Sequence, residues 1–206
     1  MPSRRDDAEQ VHPETLAQWR VWLEANHARP DGVWLVSWKP ATGRPAVPYE
    51  QAVEEALCFG WIDSSGRTLD EQRSALWMAP RKRGSGWARS NKERIIRLET
   101  EGRMTDAGRA LIEAAKADGS WTLLDSVEAG EVPDDLARAF DAYPGARGTW
   151  DAFPKSVRRA HLEWIVQAKT DATRMKRIGD VAEKASRGER ANEWVPKSER
   201  PPATTG

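Results

Sequence analysis

Cysteine is almost missing from this chain. Cys58 stands alone among 206 residues, which excludes an intramolecular disulfide and a cysteine-built zinc site and fits a reducing compartment. Histidine is nearly as scarce: His12, His27 and His161 lie far apart, with no spacing that suggests a catalytic dyad or a metal site, and neither a metal nor a cofactor is expected. No apolar run approaches the ~20 residues that a spanning helix requires, so no membrane insertion is expected. The first residues, Met1 to Asp7, are polar and carry no apolar signal stretch, which points to a cytoplasmic location. Charge of one sign is not in excess either, with 32 basic and 32 acidic residues. Net charge therefore makes no case for nucleic acid, and only local patches can matter. There is no His-Glu-x-x-His, no Gly-x-Ser-x-Gly, no phosphate-binding Walker loop and no Gly-x-Gly-x-x-Gly after a strand. Binding is expected here rather than catalysis.

Tryptophan, by contrast, is abundant. Eleven of them compensate for a hydrophobic content of only 39%, because each indole buries far more area than an alanine or valine. His12-Pro13-Glu14 opens a first helix with Leu16, Trp19, Val21, Trp22 and Leu23 as its apolar stripe, and Asn26 and His27 close it. Val33 to Trp38 is β-branched and aromatic on both faces and reads as a central strand. Tyr49 to Phe59 reads as a helix ended by Gly60 at the left-handed position. Trp61 to Ser65 and Arg73 to Ala79 then read as two strands of a hairpin, the second stopped by Pro80. From about Trp87 the pattern is helical, with Gly102 as a stop, Thr105 as a cap and Thr170 as the cap of a last helix to about Arg187. Trp121 to Gly130 reads as a linker.

The expected architecture is α+β: a small, mostly antiparallel sheet packed with helices, followed by an all-helical C-terminal module. The boundaries read as a disordered N-terminus over 1–11, an α+β domain over 12–128, a helical domain over 129–188 and a disordered tail over 189–206. No pattern fixes an oligomeric state.

Two runs carry the chemistry: Cys58-Phe59-Gly60-Trp61-Ile62-Asp63-Ser64, and Trp77 to Asn91 with Arg81, Lys82, Arg83 and Ser85 inside it. Strand alternation puts Trp61 and Asp63 on one face of the first strand, and Arg73, Ala75 and Trp77 on one face of the second. If the strands pair, Trp61, Asp63, Arg73 and Trp77 converge, leaving Ile62, Leu76 and Met78 for the core. Ser85 could cap a helix starting near Trp87, and its free N–H groups would join the cations as an anion site. From Arg81 to Arg97 there are seven basic residues against Glu93, and from Asp118 to Asp141 seven acidic residues against Arg138. The candidate ligand-binding set is Trp61, Asp63, Arg73, Trp77, Arg81, Lys82, Trp87 and Asn91. Each member also has a bland reading. The indoles can be core, the charges can solvate the surface or pair within the chain, and Asp63 can be a carboxylate paired with Arg67 or Arg73 rather than an acid/base. Cys58, near a helix C-terminus, reads as a buried and inert thiol.

Several of these runs resemble the YdeI/OmpD-associated, or bacteriocin-protection, family. They are Gly32 to Val36, Tyr49 to Asp63, Leu69-Asp70-Glu71 with Arg73, Pro80-Arg81, Ser85 to Asn91, Glu101 to Thr105, Val132 to Leu136 and the helices to Ile178. The likeness spans roughly residues 12 to 188. It implies an α+β part and a helical C-terminal part joined near residue 128, with a link to an outer-membrane porin and to resistance against bacteriocins. It brings no catalytic residues. Three functions are weighed: a stress- or resistance-related module that binds a small anion or an acidic partner, an enzyme using Asp63 with the Arg/Lys cluster, and nucleic-acid binding through the Arg81–Arg97 face. Neutral net charge counts against the last.

Overall fold

In the computed structural model, which describes residues 5 and 7–192, the organising element of the N-terminal part is the helix Tyr49–Cys58. Every residue from Ala52 to Cys58 is buried, so this helix is enclosed all round rather than on one stripe. Its Ala52, Val53, Ala56 and Leu57 supply the apolar contacts expected of them. Its Glu54 and Glu55 are buried as well, at 7% and 2% exposure, and they are held by arginines from three other segments. Arg103 reaches Glu54 at 3.3 Å and Glu55 at 2.9 Å, Arg20 pairs with Glu55, and Arg97 pairs with Glu54.

In chain order the N-terminal elements are β1 (Gln10–Val11), α1 (Leu16–Asn26), β2 (Val33–Trp38), α2 (Tyr49–Cys58), β3 (Trp61–Thr68), β4 (Arg73–Pro80), α3 (Arg89–Thr100) and α4 (Asp106–Ala117). The sheet order is β1-β2-β4-β3, with β1 parallel to β2 and the other pairs antiparallel. This is the small, mostly antiparallel sheet that the sequence implies. One of its faces packs on the main core, built on Trp19, Leu23, Val53, Trp61, Met78 and Leu98. The other carries a smaller cluster of Trp34, Val36, Ala75 and Trp77.

Local signals explain most boundaries. Thr15 caps α1 through a reciprocal box with Gln18 at 3.3 Å in both directions, so the helix starts three residues beyond Pro13. Val21, expected in its apolar stripe, is exposed, while Trp19 and Leu23 are fully buried. Gly60 ends α2 with φ +78°, and a Cβ there would meet Leu111 Cδ1 at 2.3 Å. Thr105 caps α4 and also donates to the Cys58 carbonyl at 2.6 Å, which ties the start of α4 to the end of α2.

The chain divides between Thr122 and Leu123 into two units. The second is all helical: α5 (Asp125–Ala129), α6 (Asp134–Asp141), α7 (Ala146–Ala152), α8 (Lys155–Val166) and α9 (Asp171–Ser186). It has its own core around Leu136, Phe140, Trp150, Leu162, Ile165 and Val181. Arg174 of α9 clamps Asp135 in the first turn of α6 at 2.7 and 3.0 Å.

Three segments differ from the sequence reading. Gln10 and Val11, placed in a disordered N-terminus, pair with Trp34 and Leu35; two residues are too few to show strand alternation, but they complete the open edge of β2. The linker assigned to Trp121–Gly130 contains α5, whose Val127, with the preceding Leu124, enters the second core. Ala191 also packs into that core, so ordered structure runs past residue 188. The rest of the expected tail, from residue 193, lies outside the described residues, as do residues 1–4 and 6 of the expected N-terminal tail.

The buried carboxylates make a direct prediction. Glu55→Ala leaves the Arg20 and Arg103 charges without their shared partner and should destabilise the protein by about 1–3 kcal/mol, because both arginines keep partial solvent exposure and a second carboxylate. Urea unfolding of wild type and variant checks this; a loss below about 1 kcal/mol would show that the network relaxes around the gap.

Candidate functional site

The hairpin register decides where the candidate residues go. Trp61 pairs with Pro80, Ile62 with Ala79 and Asp63 with Met78, then the register shifts before Gly66 meets Leu76. Trp61 and Asp63 therefore share a face with Met78, and Trp77 points to the opposite face. Ser64 and Ser65 sit opposite Trp77 alone, a bulge that reverses the parity of the strand beyond it. Arg67, now paired with Ala75, arrives beside Trp34 and stacks on its ring at 4.0 Å. The expected convergence of Trp61, Asp63, Arg73 and Trp77 does not occur, because the two strands meet in the other parity.

Each member has a definite place. Trp61 is 0% exposed, donates its indole N–H to the His27 carbonyl at 2.9 Å and meets Trp22 edge-on at 5.6 Å. Trp87 is buried in the same core. Arg73 bonds the Asp70 carboxylate at 2.7 Å and so fastens the β3–β4 turn, where the backbone N–H groups of Gln72 and Arg73 also donate to Asp70; that pairing and the N–H bonds hold the Asp70 carboxyl below its usual range. Asp63 pairs with neither Arg67 nor Arg73. It accepts from the Tyr49 hydroxyl at 2.8 Å. Burial and this bond push the Tyr49 pKa up. Asn91 accepts from Arg94 at 2.8 Å, and Arg94 also grips Glu50 at 2.7 and 2.9 Å. Ser85 does not cap α3: its hydroxyl donates to the Lys82 carbonyl at 2.6 Å, and Ala88 occupies the cap position with no side-chain bond.

Three candidates do come together. Trp77, Arg81 and Lys82 line a cavity of about 680 Å³. Gly32 is part of its wall; a Cβ at this position would stand 2.6 Å from both the Met78 carbonyl oxygen and the Trp77 ring. Arg5 and Arg29, which sequence reasoning did not select, add to the lining along with Glu9 and Asp31, giving four cations against two carboxylates. Arg29 pairs with Glu9 at 2.6 Å. Arg5 lies over the Trp77 ring at 4.8 Å. Arg81 is 9% exposed, stacks on Trp87 at 3.7 Å and donates to the Gly86 carbonyl. It forms no ion pair with a carboxylate among the described residues, and burial pushes its pKa down to about 10. Arg29 and Arg5 could not be found by spacing, because they come from the turn after α1 and from the segment before β1.

A second cavity, of about 640 Å³, lies over Leu35, Ser37, Ser74 and Leu76 and includes Arg44 and Arg67. Both of these cations stack on indoles, Arg44 on Trp38 and Arg67 on Trp34. Along the basic run, Arg94 and Arg97 are committed to Glu50 and Glu54 of α2. Among the described residues, no helix is long and apolar enough to cross a membrane.

Residues 129–188 match the family described as Bacteriocin-protection, YdeI or OmpD-Associated. Residues 11–111 match a Domain of unknown function, DUF8412. Neither curated proteins nor solved structures give a match. The resemblance to the bacteriocin-protection family therefore holds over the helical unit, while the α+β unit matches a separate domain family.

Cys58 is free and fully buried at the end of α2. Burial and the nearby Glu55 push its pKa from 9.0 up to about 12. The fold thus favours the neutral thiol. Its contribution to stability is complete below about pH 9 and is lost as the unfolded thiol ionises above it, at up to about 1.4 kcal/mol per pH unit. Between about pH 8 and pH 10.5, wild type should lose more stability in urea than Cys58→Ala does. The native thiol should stay unmodified by iodoacetamide; rapid native alkylation would refute the assignment.

Proposed function

We propose that a chain whose helical unit carries the bacteriocin-protection, YdeI or OmpD-associated match is a stress- or resistance-related binding module, and that it takes a small anionic ligand or an acidic partner segment at the Trp77, Arg81 and Lys82 cavity. The observation that carries this reading is the charge of that cavity, four cations against two carboxylates. A buried guanidinium without a carboxylate is costly, and Arg81, which lines this cavity while its guanidinium rests on Trp87 and the Gly86 carbonyl, adds its charge to the field that an anion there meets. Lys82 is exposed at the rim, where it steers an incoming anion, and Arg29 and Arg5 add their positive charge to the lining. Of the residues put forward from sequence, Trp77, Arg81 and Lys82 are the ones that line this cavity. Trp61, Arg73 and Trp87 hold the scaffold, and Asp63 and Asn91 belong to the Tyr49–Arg94 network.

Catalysis at Asp63 is the weaker reading, because its carboxylate faces Tyr49 and not the cation-rich cavity. Nucleic-acid binding along Arg81–Arg97 is weaker still, since Arg94 and Arg97 already pair with α2. The lone buried thiol suits action in a reducing compartment such as the cytoplasm.

Titration with citrate and with a short oligoglutamate tests the proposal. Either should perturb the fluorescence assigned to Trp77 by comparison with Trp77→Phe, saturably and with an affinity that falls about tenfold or more in Lys82→Glu. Lys82 is exposed, so its variant should keep the wild-type melting temperature. No response to either probe, or an unchanged affinity in Lys82→Glu, would overturn the assignment.

A further inference from the structure

The helical unit holds a cavity of its own, of about 430 Å³, between α5 and the first turn of α8. Glu128 and Gly130 line one side, Trp150 another, and Lys155, Arg158 and Arg159 the α8 side. Several features of this cavity agree in sign. First, α8 runs for twelve residues from Lys155, and its cap position is Pro154, with no side-chain bond to the leading N–H groups. Its positive end is therefore uncapped and faces the cavity through Lys155 and Ser156. Second, Trp150 is 1% exposed and its indole N–H is buried with no acceptor. Third, the Nε of Arg158 is likewise buried without an acceptor, with its guanidinium 5.6 Å from the Trp150 ring. Fourth, three cations stand against one carboxylate, and that carboxylate, Glu128, is taken by Arg159 at 2.8 Å.

Buried N–H donors are nearly always bonded, and Trp150 and Arg158, which line this basic cavity, each bring one that has no protein acceptor. The donors differ in kind and direction: helix N–H groups, an ammonium, a guanidinium and an indole. A planar carboxylate offers only two oxygens, whereas a tetrahedral oxyanion can meet donors arriving from several sides. We propose that this cavity binds the phosphate group of inorganic phosphate or of a small phosphomonoester. The site is separate from the Trp77 cavity, and its case does not depend on that reading.

The experiment uses the full chain, labelled with ¹⁵N, and follows the tryptophan indole signals during titration with inorganic phosphate and with phenyl phosphate at constant ionic strength. Trp150→Phe identifies the Trp150 signal. That signal should move saturably with both probes. The affinity should fall about tenfold or more in Arg158→Gln and in the surface variant Lys155→Gln, whose remaining indole signals report that the fold is kept. Lys82→Glu should leave it unchanged. An immobile or merely linear Trp150 response, full affinity in both α8 variants, or equal saturation by acetate would each overturn the proposal. Saturation by phenyl phosphate with inorganic phosphate much weaker would assign the site to phosphomonoesters; the reverse would assign it to the free ion.

Discussion

Two adjacent glutamates on α2 form the constraint around which the N-terminal unit is arranged. Glu54 and Glu55 sit in the interior, and the arginines that neutralise them come from α1, from α3 and from the turn that follows α3. An apolar contact tolerates sliding, but a buried carboxylate does not, because displacement leaves a charge in low dielectric. The pair therefore fixes where α1 and α3 stand around α2 and where the chain re-enters at Arg103. From that point Thr105 bonds the last carbonyl of α2 and launches α4. Apolar burial supplies most of the driving force; the ion network selects the arrangement in which that burial happens.

Indoles and guanidiniums are paired throughout the chain, and this changes what the tryptophans can do. Arg81 covers Trp87, Arg67 covers Trp34, Arg44 covers Trp38 and Arg177 covers Trp164. A ring face already stacked by the protein's own cation is no platform for a ligand. The stack does something else: it holds the guanidinium in place with its N–H edge directed away from the ring, which lowers the ordering cost of binding. The same pairing recurs in the Trp77 cavity, where Arg5 lies over the indole at 4.8 Å, so the proposed anion would meet charge there rather than an open ring face.

Much of the fold was legible in the sequence because its signals are local. The apolar β2 run, Gly60 after α2, and the Thr105 and Thr170 caps each act within a few residues, and each element appears where those residues place it. The candidate site was legible only in part. Alternation predicts faces correctly along an unbroken strand, and it assigned Met78 to the core. It cannot give the register between strands or reveal a bulge at Ser64–Ser65, and these decide that Trp61 and Trp77 lie apart. Nor could spacing announce Glu54 and Glu55 as interior residues. Their charge argues for the surface until Arg20, Arg97 and Arg103 are seen to converge on them. Arg29 and Gly32 reached the cavity by long-range packing, which leaves no periodic trace.

The two-residue strand β1 also has a bearing on the behaviour of the chain in solution. It covers the outer edge of β2, and the backbone just before it accepts the Trp34 indole N–H at 2.7 Å. Val33-Trp34-Leu35-Val36 is apolar, strongly β-forming and uncharged. Stripped of Gln10 and Val11, its free N–H and C=O groups would become a template for a second molecule. A proteolytic nick near residue 12 would therefore uncover this edge and favour edge-to-edge self-association.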